Sequence, residues 1–282
     1  MNSHPSPKED EVAAANRRFY DQIADCYDDI DSRRKGAIKH EWIGTVFDQM
    51  RSLLANTKAK DNPAFMDAGS GSGFLAVRAY EYFKNITMVD ISQKMLDRID
   101  LPGATKICSD LNSIPVEDAS YDIIGAFATL HHLKSPKIFF AEAFRVLRTG
   151  GVLYTDHDIE QTFVRNFRPL LVLYRSRFDH GKKYLDSCPS ASESDYFLSE
   201  YHGDKGLSGS ELTADLRAAG FEVVEMAYHW EGMGPIASIL DKLGLKRLFT
   251  RRGLAPVVRI LAVKRQQSYP PFQARTAPSW PG

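Results

Sequence analysis
Cysteine is scarce in this chain, net charge is nil, and no long apolar stretch occurs. Cys26, Cys108 and Cys188 lie far apart and form no C-x-x-C pair. That spacing argues against a disulfide framework or a zinc site and points to a reducing compartment. The 36 basic residues match the 36 acidic ones. No global field is left to hold a polyanionic nucleic acid or an anionic membrane as partner. No apolar run approaches the roughly 20 residues of a membrane span. The opening residues, MNSHPSPKEDE, lack the apolar core of a signal peptide. The expected location is cytoplasmic.

What is present reads as an ordinary globular protein of 282 residues, 43% hydrophobic and 26% charged. Its centre is the stretch AFMDAGSGSGFLAV, residues 64–77. Ala64, Phe65 and Met66 form a short apolar strand that ends at Asp67. Gly69, Gly71 and Gly73 follow at alternate positions around Ser70, and Phe74 opens an apolar helix. Glycine permits a turn with φ > 0 and lets a ligand approach without meeting a Cβ. The start of the helix offers N–H groups without partners. The dinucleotide fingerprint is G-x-G-x-x-G, whereas here the glycines run G-x-G-x-G behind an acid. This pattern resembles motif I of the class I S-adenosylmethionine-dependent methyltransferases.

The rest of the chain extends that resemblance. Residues 1–10 are polar and read as a disordered tail. Phe19, Ile23, Tyr27 and Ile30 share one helical face, and Trp42 to Leu54 carries a clean 3–4 apolar spacing. The segment FYDQIADCYDD is similar to the Y-D-x-x-A-x-x-Y-D opening of small-molecule methyltransferases, which places Tyr20 over the cofactor. A second strand ends at Asp90, followed by Ile91 and by Ser92, a good helix N-cap. A carboxylate there can accept from both ribose hydroxyls of a nucleoside. The third strand, Thr105 to Cys108, leads to Asp110 and Leu111. In the resembled family that acid accepts from the adenine amino group and the next residue packs on the ring. The fourth strand, Tyr121 to Phe127, runs into ATLHHL, and Lys134 to Leu147 reads as a helix ended by Thr149-Gly150-Gly151. Val152 to Tyr154 is the fifth strand. The block YDIIGAFATLHHL with AEAFRVLRTGGVL is closely similar to methyltransferases of the ubiquinone and menaquinone biosynthesis type ("type 11"), strongly over residues 16–160.

The resemblance implies an α/β fold: a Rossmann-like, seven-stranded, mostly parallel sheet with helices on both faces. An N-terminal helical segment precedes it, and a helical lid insertion follows strand five. One domain is expected over 11–265, with N-terminal helices over 11–60, the lid over 156–207 and a helical excursion over 232–253. Residues 266–282 read as a second disordered tail. The resemblance implies S-adenosylmethionine as cofactor and S-adenosylhomocysteine as product. The cofactor residues are then Tyr20, Asp67, Gly69, Ser70, Gly71, Gly73, Asp90, Ile91, Asp110, Leu111 and Phe127. No N/D-P-P-Y follows strand four, and no cysteine set suits arsenite, so a small organic acceptor is expected. The aromatic-rich insertion hints at an apolar or aromatic acceptor of secondary metabolism, or else at a homodimer contact.

A general base belongs at the carboxyl ends of strands four and five or on the insertion. His157, between Asp156 and Asp158, leads; a neighbouring carboxylate would fix its tautomer and raise its basicity. His131 follows, ahead of His132. The competing reading makes Asp156-His157-Asp158 a loop start with Asp158 capping the next helix. No metal site is expected. A nicotinamide-dependent oxidoreductase and a non-catalytic binding protein of the same fold remain as alternatives.

Overall fold
A computed structural model describes residues 6–27, 41–54, 61–177 and 180–265. The expected second tail, 266–282, lies outside them. Seven strands form one sheet in the order β3-β2-β1-β4-β5-β7-β6. They are β1 (Ala64–Ala68), β2 (Asn85–Asp90), β3 (Thr105–Cys108), β4 (Tyr121–Phe127), β5 (Leu147–Ile159), β6 (Glu222–His229) and β7 (Val257–Val263). β1 to β5 pair in parallel, and β7 runs antiparallel between β5 and β6. The central strands are near-continuous apolar text because both faces are covered. All five residues of β1 are buried, as are the last six of β4.

One face carries α2 (Glu41–Leu53) and α3 (Phe74–Ala79). Ile43, Val46, Phe47, Met50 and Leu54 pack there with Phe65 and Phe83. The 3–4 spacing of these residues gathers them on a single stripe. The other face carries α5 (Pro136–Val146) and α10 (Gly209–Ala218), which bury Phe139, Phe140, Leu212 and Leu216 against Met66 and Ile124. A short α4 (Gln93–Asp97) follows β2, with Ser92 Oγ accepting from Met95 N at 3.2 Å as its cap.

At the N-terminus α1 (Glu9–Ile23) begins two residues inside the stretch expected to be a tail. After β5 come α6 (Gln161–Asn166), α7 (Arg168–Arg177), α8 (His180–Ser187) and α9 (Glu193–Ser199). The serine-rich joint has a structural use, since Ser192 caps α9 by accepting from Asp195 N. This insertion folds back on α1. Arg18 donates from Nε and Nη2 to Asp195, and Phe19 lies against Tyr184 and Tyr196.

Two expectations are corrected here. Cys26 and Cys188, 162 positions apart, are joined as a disulfide with a Cα–Cα separation of 6.5 Å, and only Cys108 is free. Linear spacing hides a pair that tertiary packing assembles. β5 is also far longer than Val152 to Tyr154. It absorbs Thr149-Gly150-Gly151 and Asp156-His157-Asp158, because β7 pairs along it from Val152 to Ile159. Its register shifts between Thr155 and Asp158, where His157 adopts φ 64°. Glu160, not Asp158, caps the next helix, accepting from Phe163 N at 2.8 Å. A last helix, α11 (Gly234–Lys242), leaves the end of β6 and continues into a 3-10 turn at Lys246–Phe249. Among the described residues no helix is long and apolar enough to cross a membrane.

Candidate active site
The carboxyl ends of β1, β2 and β4 face α1 across a cavity of about 940 Å³, counting its open mouth. Open parallel sheets bind ligands at this edge, where the strand order reverses. Here β1 has β2 on one side and β4 on the other.

The glycine turn forms the floor. Gly69, Gly71 and Gly73 have φ of 74°, 50° and 83°, a region costly for any residue with a Cβ. Their surroundings differ. A Cβ on Gly69 would strike Thr129, and one on Gly73 would meet Ile99 at 3.0 Å. A Cβ on Gly71 would find only Met95 Cε, at 4.0 Å, and Gly71 lines the cavity. Gly71 is therefore the position whose bare backbone leaves ligand space. The amides, by contrast, are used inside the turn. Gly69 N and Ser70 N donate to Val89 O, Gly73 N to Ser70 O, and Gly71 N to Asp90 Oδ2. The turn offers its ligand room more than donors.

Asp90 closes the adjacent wall. Its Oδ2 accepts from Gly71 N at 2.8 Å and its Oδ1 from Ser92 N at 2.9 Å. A carboxylate has about four acceptor positions, so two are left for a ligand's hydroxyls. Burial pushes its pKa up, against the pull of these two amides. Asp67 sits underneath, 1% exposed, and accepts from Ala76 N at 2.9 Å. Burial raises its pKa to about 7, with the charge of Asp90 adding to the rise. Asp67 thus ties the first turn of α3 to β1 and does not line the cavity; Gly73, packed on Ile99, does not either.

Ile91, Asp110, Leu111 and Asn112 line the far end. Asp110 Oδ1 accepts from Asn112 N at 2.9 Å, while Asn112 Oδ1 is buried without a hydrogen-bond partner. An orphaned buried acceptor costs roughly 1–3 kcal/mol, and a ligand amino group would satisfy it. The open space above Gly71, the spare acceptor positions of Asp90 and this carbonyl together fit an adenosyl group.

The roof comes from α1. Val12, Asn16 and Tyr20, spaced four apart, line the cavity with Tyr27. Asn16 donates to Val12 O and to His132 O. The Tyr20 hydroxyl lies 3.2 Å from His132 Nε2, and His132 Nδ1 lies 2.7 Å from Ser199 O. A carbonyl only accepts, so Nδ1 carries the proton and Nε2 accepts from Tyr20. Burial, with the charge of His131 second, lowers the His132 pKa to about 4.

The other expected base residues lie elsewhere. His131 Nδ1 and its backbone N both donate to Asp158 Oδ1, at 2.8 and 2.9 Å. Asp156 is fully buried. Its Oδ1 accepts from His157 N, His157 Nδ1 and His229 Nε2, and its Oδ2 from Tyr154 OH. Those donors hold its pKa below the usual carboxylate range despite burial. His157 is stacked between Phe127, at 4.1 Å, and Trp42, at 5.2 Å. Of these, Phe127 lines the cavity; Asp156, His157 and His131 are not among its lining residues. The bulge that absorbs Asp156-His157-Asp158 into β5 turns this cluster into the core, where it serves as a polar brace. Asn16, Asn112 and Thr129, which the sequence reading did not single out, also line the cavity. Asn16 left a signal in the sequence, a polar residue inside an apolar helical stripe.

Residues 66–155 match the family described as Methyltransferase domain. A malonyl-[acyl-carrier protein] O-methyltransferase of Hahella chejuensis is 32% identical over 117 residues, covering 39% of this chain and 42% of that protein. A pavine N-methyltransferase of Thalictrum flavum is 26% identical over 201 residues, covering 67% of this chain and 49% of that one. The chain spans about half the length of the first curated relatives it matches. Among solved structures, the [4+2]-cyclase SpnF aligns with a TM-score of 0.54 at 16% identity, covering 92% of this chain and 97% of that one. That likeness is one of fold.

Proposed function
We propose, from the premise that the chain carries a class I S-adenosylmethionine-dependent methyltransferase domain with S-adenosylmethionine as its cofactor, that it methylates a small organic molecule. The observation that carries this reading is one cavity. It joins the Gly71 floor, the Asp90 wall and the Asn112 carbonyl to the Tyr20–His132 pair. When bound, S-adenosylmethionine supplies an electrophilic methyl group. Asp90 would accept from the ribose hydroxyls. Ile91 and Leu111 would enclose the adenine, with Asp110 and Asn112 Oδ1 facing its amino group. Phe127 and Phe74, stacked at 4.5 Å, would wall the side nearest β4.

The acceptor then lies toward Val12, Asn16, His132, Leu133 and Lys134, which continue the lining. This surface is mixed, and it suits a largely apolar molecule with one polar group. Holding that group in line with the methyl supplies much of the rate. His132 replaces His157 as the proposed proton acceptor. A histidine this weakly basic takes a proton only from a strongly acidic group. A hydroxyl becomes one as its oxygen gains the methyl. The proton passes to the Tyr20 oxygen, and the Tyr20 proton passes to His132 Nε2. Oxygen acceptors satisfy this scheme; a methylated amine is too weak an acid for His132 and would need no base for the transfer. The insertion over 156–207 would cover either acceptor.

The test is an acceptor panel read by mass spectrometry for a gain of one methylene unit. His132→Gln should lower kcat about 10²–10⁴-fold and leave the affinity for S-adenosylmethionine within about twofold, since the cofactor's anchors are elsewhere. An unchanged kcat would remove His132 from the scheme. The rival reading is a non-catalytic protein of the same fold that binds the cofactor without transferring its methyl. Cofactor binding with no product across the panel supports that rival.

A further inference from the structure
The balanced total charge conceals a segregated one. Residues 161–177 contain four arginines and no acid, and residues 234–252 contain five lysines or arginines and one acid, Asp241. Lys246 is paired with Glu231 and Asp241, Arg175 with Asp204, and Arg252 with Glu160. Arg168, Lys242, Arg247 and Arg251 are exposed and carry no ion pair among the described residues. The same two segments hold the most exposed apolar side chains. Among the described residues, seven large apolar side chains are more than half exposed, and six belong here. They are Leu170, Val172 and Leu173 on α7, Ile239 on α11, and Leu243 and Leu248 just beyond it, at 55–63% exposure.

The two segments adjoin through one small core. Leu171 of α7 and Ala237 and Leu240 of α11 pack on the same small core of Phe163, Trp230 and Ala255. Both helices also leave the same edge of the sheet. β5 and β6 each run antiparallel to β7, so their carboxyl ends point the same way. α6 and then α7 follow β5, and α11 follows β6. This is the edge on which the cavity opens.

Charge decides what can cover this face. A second copy in a two-fold contact would set the basic surface against itself. Aliphatic side chains interleaved with lysine and arginine are the mark of helices that lie in a bilayer interface. Cores of protein contacts favour aromatics and are depleted in lysine. We propose that α7, α11 and the turn after it dock on an anionic lipid bilayer, with the aliphatic side chains entering the headgroup boundary and the basic ones meeting lipid phosphates. The cavity mouth would then lie beside the bilayer, so an apolar acceptor could enter from it. This second clause rests on the proposed function; the docking does not.

Sedimentation of the full chain with vesicles tests the docking. Vesicles of mixed phosphatidylcholine and phosphatidylglycerol should bind the protein, and pure phosphatidylcholine should bind it at least about tenfold more weakly. Binding should fall as salt rises, because the attraction acts within a Debye length. Arg247→Glu with Arg251→Glu should lower binding about tenfold, and so should Leu243→Ser with Leu248→Ser. All four residues are exposed, and an unchanged melting shift with S-adenosylmethionine shows that the variants are folded. Equal binding to both vesicle types, no binding at low salt, or binding to an acidic protein but not to vesicles would each overturn the proposal. A lack of methyl transfer in a protein that still binds vesicles would count against the function alone.

Discussion
Single residues set the chemistry through the charge state their burial allows. Asp67 is the clearest case. Its pKa stands at about 7 in the fold against 3.8 in the open chain, mainly through burial. Between those values the native state holds a proton that the unfolded chain has lost. Stability should therefore decline as pH rises from about 4 through 7. Asp67→Asn keeps an acceptor for Ala76 N and removes the charge. It should be more stable than the parent at pH 8, by about 2–4 kcal/mol, and equal to it at pH 4. Thermal unfolding at the two pH values checks this; a parent whose stability is flat across the range would refute it. His132 works in the opposite sense. Its lowered pKa keeps the ring neutral above about pH 4, so its protonation should not limit kcat from pH 6 to 8. Asp67 and His132 stood in the sequence as a motif acid and half of a His-His pair. Their roles were not legible, because burial depends on what the rest of the chain lays over them.

At the scale of elements, the turn and the bulge show what local text can and cannot encode. The G-x-G-x-G spacing announces three left-handed positions, and all three glycines adopt them. It does not say which glycine guards ligand space. Gly69→Ala drives its methyl into Thr129 and should cost about 2–4 kcal/mol of stability. Gly71→Ala should cost about 1 kcal/mol yet weaken cofactor binding more than Gly69→Ala does. Denaturant midpoints and calorimetry on the pair separate the two effects, and equal losses of affinity would contradict the assignment. The strands β3 and β4 were readable to the residue, β4 as a short apolar run bounded by turn residues and β3 by its place between two turns in the repeated βα pattern. β5 was not. Its extension depends on β7, which lies about a hundred positions away in sequence, and only that pairing shows His157 to be a bulge residue of the core. The disulfide is another long-range product. Cys26→Ser should lower stability by about 2–4 kcal/mol. Reduction of the parent should reproduce the loss, and Cys108→Ser should show none. A parent unaffected by reductant would sink that expectation.

The whole molecule divides its labour between two sides of one sheet edge. β1, β2 and β4 supply a ligand cavity, and the excursions after β5 and β6 supply an apolar, basic face. The succession of the first four strands and the acid after β2 were readable from the sequence because each βα unit repeats one pattern of strand, turn and helix. The roof was half readable. Tyr20 stood out as a motif residue and lines the cavity, but Asn16 and the contact of α1 with the insertion needed tertiary packing. The zero total charge says nothing of its distribution, and the basic residues of 161–177 and 234–252 lie largely apart from the acids in sequence. The central claim remains that the cavity beneath α1 is an adenosyl site with Asp90 as its anchor. Titration calorimetry of the intact chain with S-adenosylmethionine, beside its Asp90→Ala variant and with NADH as control ligand, tests it most directly. The expected result is one site per chain for S-adenosylmethionine, weakened about 10–100-fold by the substitution as charge-assisted hydrogen bonds are lost, and no heat with NADH. Binding that is indifferent to Asp90, or a preference for NADH, would contradict the account.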